Sequence, residues 1–342
     1  MGLNEKFFKS AAGGITASDN FEPVIYTGNG GTKSITSLNF QPDFTWIKQR
    51  SSPSRDHVLN DSVRGANKIL YSNLTNAEDT AGGSGSAYFN SFDSNGFTVG
   101  SSIYYNGSSL DYVAWNWKAG GAAVSNTDGT ITSQVSANVD AGFSIVSYTG
   151  ASANQNVGHG LNETPQLIIV KNRDTTGNGW ATQSPFSGGA DYHMMLNLTQ
   201  EAKNNVNWIW NDTEPTSSVF SIGENGITNT SGDKYIGYCF HSVSSYQKIG
   251  SYIGSGVSGK QVTGLGFDPS FVMIKKSSAT GSWYMFDSVR KTGVYSDQLI
   301  ANSSAAEGTG TYVEFITDGF QLDTSASDLN TGSQTFIYLA IA

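Results

Sequence analysis

The chain has 342 residues, a formal net charge of −9 and a single cysteine, Cys239. Charged residues make up only 14%, against about 25% in ordinary globular domains, and Gly, Ser, Thr and Asn fill the difference. That composition excludes an intrachain disulfide or cysteine metal cluster, argues against nucleic-acid binding, which needs clustered positive charge, and favours strands and turns over helices.

In chain order, the first stretch carries Leu3, Phe7 and Phe8 beside Lys6 and Lys9. It lacks the apolar core of an export signal, so the chain is expected to be made and used without export. No apolar run approaches the roughly 20 residues of a membrane span, so no membrane insertion is expected. Residues 1–20 read as a short arm whose apolar groups, Leu3, Phe7 and Phe8, dock into a partner.

From Phe21 onward the same landmarks occur three times in one order. A strand ending in Tyr-x-Gly comes first: Tyr26-Thr27-Gly28, Tyr148-Thr149-Gly150, Tyr252-Ile253-Gly254. Then Pro is followed six residues later by Lys: Pro42 and Lys48, Pro165 and Lys171, Pro269 and Lys275. Between them lies a run of β-formers, read as a strand with a deeply buried face; Pro suits its start because it needs no ladder N–H. Asp61-Ser62-Val63-Arg64 and Asp287-Ser288-Val289-Arg290 follow in the first and third copies, and Gln183-Ser184-Pro185-Phe186 stands at that place in the second. Asn73, Asn197 and Asn302 come next, shortly before Glu78, Glu201 and Glu307. Asn95-Gly96, Asn225-Gly226 and Asp318-Gly319 predict hairpins, since both residues of each pair tolerate positive φ. Each copy closes on an aromatic strand: Tyr112 to Trp117, Tyr235 to Phe240, Phe336 to Ile341.

Many short strands per copy predict an all-β protein of three tandem antiparallel β-sandwich modules. The expected divisions are the arm at 1–20 and modules at 21–120, 121–243 and 244–342. Gly120-Gly121-Ala122-Ala123 reads as a linker that leaves the first pair some freedom, whereas the second pair is joined too tightly to move.

These landmarks resemble a recurrent module of tail-fibre-like and other structural proteins of phages, marine ones above all. The resemblance rests on Ala141 to Gly150, Pro165 to Arg173, Phe267 to Lys275, Trp283 to Arg290 and Asp318-Gly319-Phe320. It implies a concanavalin-like jelly roll and a non-catalytic virion protein assembled in the host cytoplasm. The function expected is a tail fibre or receptor-binding component that contacts host surface glycans, held to other virion proteins by its arm. The alternatives are a capsid decoration protein, as a head fibre or knob, and a secreted carbohydrate-binding protein. A homo-oligomer is expected, a trimer being common among fibres.

No candidate enzyme site stands out. A glycanase on such a fold needs two carboxylates on one strand face, and no strand has that spacing. Asp56-His57 near Ser62 reads as a solvated loop rather than a triad, which geometry alone defines. No cofactor is implied; structural calcium is the one ion left open, with the Asp323 to Asp328 turn as its candidate. Trp208 and Trp210 alternate around Ile209 and are expected to share one face. With the loop pair Tyr104 and Tyr105 they are the candidate glycan or partner contacts.

Overall fold

A computed structural model describes residues 15–51, 55–80, 88–204, 207–325 and 327–342. The arm residues Leu3, Phe7 and Phe8 lie outside the described residues. The structure is nearly all β, and the named ladders are antiparallel.

The same pairing scheme occurs in all three segments. The strand after each proline is central: Phe44–Gln49, Leu167–Asn172 and Phe271–Lys276. On one side it pairs with the aromatic closing strand, Asp111–Trp117, Lys234–Phe240 or Thr335–Ile341. On the other it pairs with Val58–Asp61, Trp180–Gln183 or Trp283–Asp287. The closing strand in turn holds Phe21–Thr27, Phe143–Thr149 or Gln247–Ile253. Each proline falls two residues before its strand and is spared a ladder bond.

Side chains alternate across a strand, and here both faces are buried. Ile47 faces a core with Phe89, Phe97 and Val99 from smaller sheet strands of the first segment. Ile168 and Val170 face Phe220 and Ile222 of the second segment in the same way. Val272 and Ile274 face Phe320 and Leu322 of the third. The opposite faces carry Phe44 and Trp46, Leu167 and Ile169, and Phe271 and Met273, and all six meet in one core shared by the three segments. Two buried faces explain the apolar runs of the second and third segments and the burial of Thr45, which interrupts that of the first.

The Tyr-x-Gly landmark closes one end of each segment. Tyr26, Tyr148 and Tyr252 donate their hydroxyls to the carbonyls of Tyr105, Thr228 and Leu329 at 2.7, 2.8 and 2.6 Å. The next residue along each of those loops is a buried Asn whose Oδ1 accepts from the backbone just past the glycine: Asn106 from Asn29, Asn229 from Ala151, Asn330 from Ser255. A Cβ on Gly28, Gly150 or Gly254 would strike the carbonyl of Gly107, Thr230 or Thr331. Glycine is there because backbone must approach backbone.

Two expectations fail here. The Gly120-Gly121 stretch is pinned: Asp43 Oδ2 accepts from the Ala119 and Gly121 amides at 2.9 and 3.2 Å, and Ser136 donates to the Gly121 carbonyl at 2.7 Å. It is not a loose linker. Asn225-Gly226 makes no hairpin; Asn225 caps the short helix Gly226–Asn229 by accepting from the Ile227 amide. The Asn95-Gly96 and Asp318-Gly319 turns do join paired strands.

Candidate functional site

The chemistry-bearing side chains gather at the seams between segments. Across each seam a ring nitrogen reaches a main-chain carbonyl. Trp180 Nε1 donates to Tyr71 at 2.9 Å, and Trp283 Nε1 to Met195 at 3.0 Å. At the third seam His57 replaces the tryptophan, with Nε2 3.0 Å from the Ile300 carbonyl. The asparagines Asn73, Asn197 and Asn302 accept from the amides of His57, Trp180 and Trp283 and so hold these rings in place.

Two seams also carry a buried ionic network. Arg64 binds Asp61 at 2.5 Å and Glu78 at 3.2 Å within the first segment, and Arg173 of the second reaches Glu78 at 2.8 Å. Tyr238 of the second segment donates to Asp61 at 2.8 Å. At the seam between third and first, Arg290 binds Asp287 at 2.7 Å and Glu307 at 2.8 Å. Arg50 reaches Glu307 at 2.6 Å, and Trp115 donates to Asp287 at 2.8 Å. Burial alone would raise the Glu78 and Glu307 carboxyls; the arginine partners override it and hold both below the ordinary glutamate value.

At the seam between second and third segments none of the corresponding places carries such a residue. Strand register and the backbone caps place Ser184 where Asp61 and Asp287 stand, one residue later than the sequence alignment of Gln183 suggests. By the same register Ser187 takes the arginine place and Leu339 that of the donor. Ala202, not Glu201, takes the glutamate place: its amide donates to the Ser277 carbonyl at 2.8 Å, as Glu78 does to Arg173 and Glu307 to Arg50. Ser277 thereby stands in the place of the second arginine. Removing one partner from a buried ion pair strands a charge, so losing all of them together is the inexpensive route.

The seam between first and second segments opens into a polar groove of about 320 Å³. Its lining includes Asp56, Tyr71, Glu78, Asp79 and Tyr104 from the first segment and Thr176 from the second. Tyr71 and Tyr104 form an angled wall, ring centroids 6.0 Å apart and planes at 60°. Arg55 lies over the Tyr104 ring at 5.8 Å. Asp56 accepts from Asn73 at 2.6 Å and Asp79 from the Tyr71 hydroxyl at 3.3 Å. The two segments are stitched together beside the groove, with Thr176 Oγ1 accepting from the Ala77 amide at 3.1 Å and the Gly177 amide donating to the Thr75 carbonyl at 3.0 Å.

Of the candidate contacts, only Tyr104 lines this groove. Tyr105 is fully buried and donates to Asn60 at 2.9 Å. Trp208 and Trp210 do not share a face: they sit in a turn, Trp208 is 65% exposed and Trp210 only 1%. The turn, flanked by positive φ at Asn207, Asn211 and Asp212, lacks the strand alternation on which their pairing was expected. Asp56, His57 and Ser62 do not assemble into a triad. His57 Nδ1 accepts from Trp46 Nε1 at 2.9 Å, and Ser62 donates to Asp43 at 3.0 Å. In the turn considered for calcium, Asp323 accepts from Gln321, and Asp328 from Lys276 and Tyr284. Among the described residues no group of three or more His, Cys, Asp or Glu is placed to hold a metal. The groove itself was not legible in the sequence, because its walls come from four separate stretches and two segments.

A family model described as "Domain of unknown function (DUF7483)" matches residues 16–342. The chain belongs to the DUF7483 family. The DUF7483 match runs through all three segments as one unit, in keeping with the core they share. No curated protein matches the chain.

Proposed function

We propose that the chain is a non-catalytic phage virion protein, a tail fibre or receptor-binding component that contacts host surface glycans. In this reading the three segments are jelly-roll sandwiches, modules of about the ranges given by the landmarks, and the arm with Leu3, Phe7 and Phe8 fastens them to other virion proteins. The observation that carries it is the construction of the seams. Asp61, Glu78, Asp287 and Glu307, all largely buried, are each held by arginine and spent on locking three segments about one core. Such carboxylates suit a rigid presenting scaffold better than proton transfer. Proteomics of purified particles, paired with competition of the purified chain against phage adsorption to host cells, tests this. Presence in particles and blocked adsorption are expected; absence from particles would falsify it.

A further inference from the structure

We propose that the groove between the first and second segments binds neutral oligosaccharide. Its volume, about 320 Å³, falls at the lower end of small-ligand sites, which run from about 300 to 1,000 Å³. A pyranose has an apolar C–H face and a rim of hydroxyl donors. The half-buried Tyr104 offers aromatic surface to the first, with Tyr71, only 9% exposed, packed edge-on behind it. The carboxylates of Asp56 and Asp79 offer acceptors to the second; each has about four lone-pair sites, and each accepts one side-chain bond described above.

Charge selects against acidic sugars. Asp56, Glu78 and Asp79 all line the groove, and the nearby cations among the described residues are engaged: Arg64, Arg173 and Lys68 with Glu78, Arg55 over the Tyr104 ring. A uronate or sialate would meet three lining carboxylates, and the described lining includes no lysine or arginine. The bonds from Ala77 to Thr176 and from Gly177 to Thr75 tie the two segments together beside the groove before any ligand arrives, which lowers the ordering cost of binding.

This inference rests on the attachment reading for the expectation that glycans are met, yet the two fail separately. The intact chain is titrated calorimetrically with lactose, maltotriose and chitotriose, and with sialyllactose and trigalacturonate. At least one neutral probe is expected to bind and neither acidic one. Tyr104→Ala should weaken binding about tenfold or more, Tyr104→Phe should keep it, and Trp208→Ala should leave it unchanged. Should Tyr104→Ala fold poorly, Asp79→Asn on the rim reads the same site through its hydroxyl acceptor and is expected to weaken binding. No binding of any neutral probe, preference for an acidic one, or wild-type affinity in the variant read would overturn the site. If the chain still blocks adsorption after that result, the attachment reading survives with its contact elsewhere. A working groove on a chain absent from particles would sink the attachment reading alone.

Discussion

Arg64 and Arg290 have fully buried side chains, and each sits between two carboxylates. Arg64→Met leaves Asp61 and Glu78 without that cation and is expected to cost about 3–5 kcal/mol in urea unfolding. Glu78→Ala with Arg173→Ser copies what the second seam already has; the double change should cost about 0.5–3 kcal/mol less than the sum of its singles. Strict additivity would mean that the two side chains do not act as a pair. The landmark lysines carry a pH signature. Lys48, Lys171 and Lys275 are buried, donate to main-chain carbonyls and are pushed down to about 8 by desolvation. An unfolded lysine keeps its proton to about pH 10.4. Between about pH 8 and 10 the unfolded chain therefore binds more protons, and stability rises with pH. Above about 10 the sign reverses, because burial raises Tyr26, Tyr105, Tyr148 and Tyr252 and the unfolded chain loses protons first. On the acid side, burial lowers His57 and holds His159 at about 4, so stability falls as pH drops below the ordinary histidine value. A melting profile from pH 5 to 11 checks all three limbs; Lys171→Met should remove about one third of the alkaline rise.

At the scale of elements, the turn holding Trp208 and Trp210 shows where alternation misleads. Period-two reasoning assumes extended backbone, but Trp208 and Trp210 lie in a turn, bounded by positive φ at Asn207 and Asn211. Trp210→Ala is expected to cost about 3–5 kcal/mol, the usual range for emptying a buried tryptophan site. Trp208→Ala should stay within about 0.5 kcal/mol. Chemical denaturation of the two variants side by side decides this, and equal costs would contradict the placement. The central strands were legible because each runs Pro to Lys through β-formers. That a second buried face belongs to other segments was not, since a run of apolar residues names no partner. The Tyr-x-Gly landmark was visible as a pattern, but its reason, a hydroxyl bond and a close backbone approach to a distant loop, lies in tertiary contacts.

For the whole molecule, one core joins Phe44 and Trp115 of the first segment to Phe143 and Tyr238 of the second and Phe271 and Leu339 of the third. Separating any segment would expose large apolar surface, at about 25 cal/mol per Å². A single cooperative unfolding transition is expected, with a radius of gyration of about 20 Å in small-angle scattering. Two resolved transitions, or the longer profile of strung beads, would contradict the shared core. The first segment is held at both its seams by ionic networks, while among the described residues the second and third meet without one.

The landmarks carried in the sequence sufficed for the β class, the threefold repetition and the central strands, because these depend on local spacing: alternation, proline geometry and turn residues. Tertiary structure alone decided that the copies close on each other. It also decided that the Gly120-Gly121 stretch is clamped, that Ala202 rather than Glu201 faces the next segment, and that Tyr104 reaches a groove while Tyr105 fills a core. Each of those outcomes depends on which distant residue supplies a hydrogen bond or an opposite charge, and no local spacing specifies that.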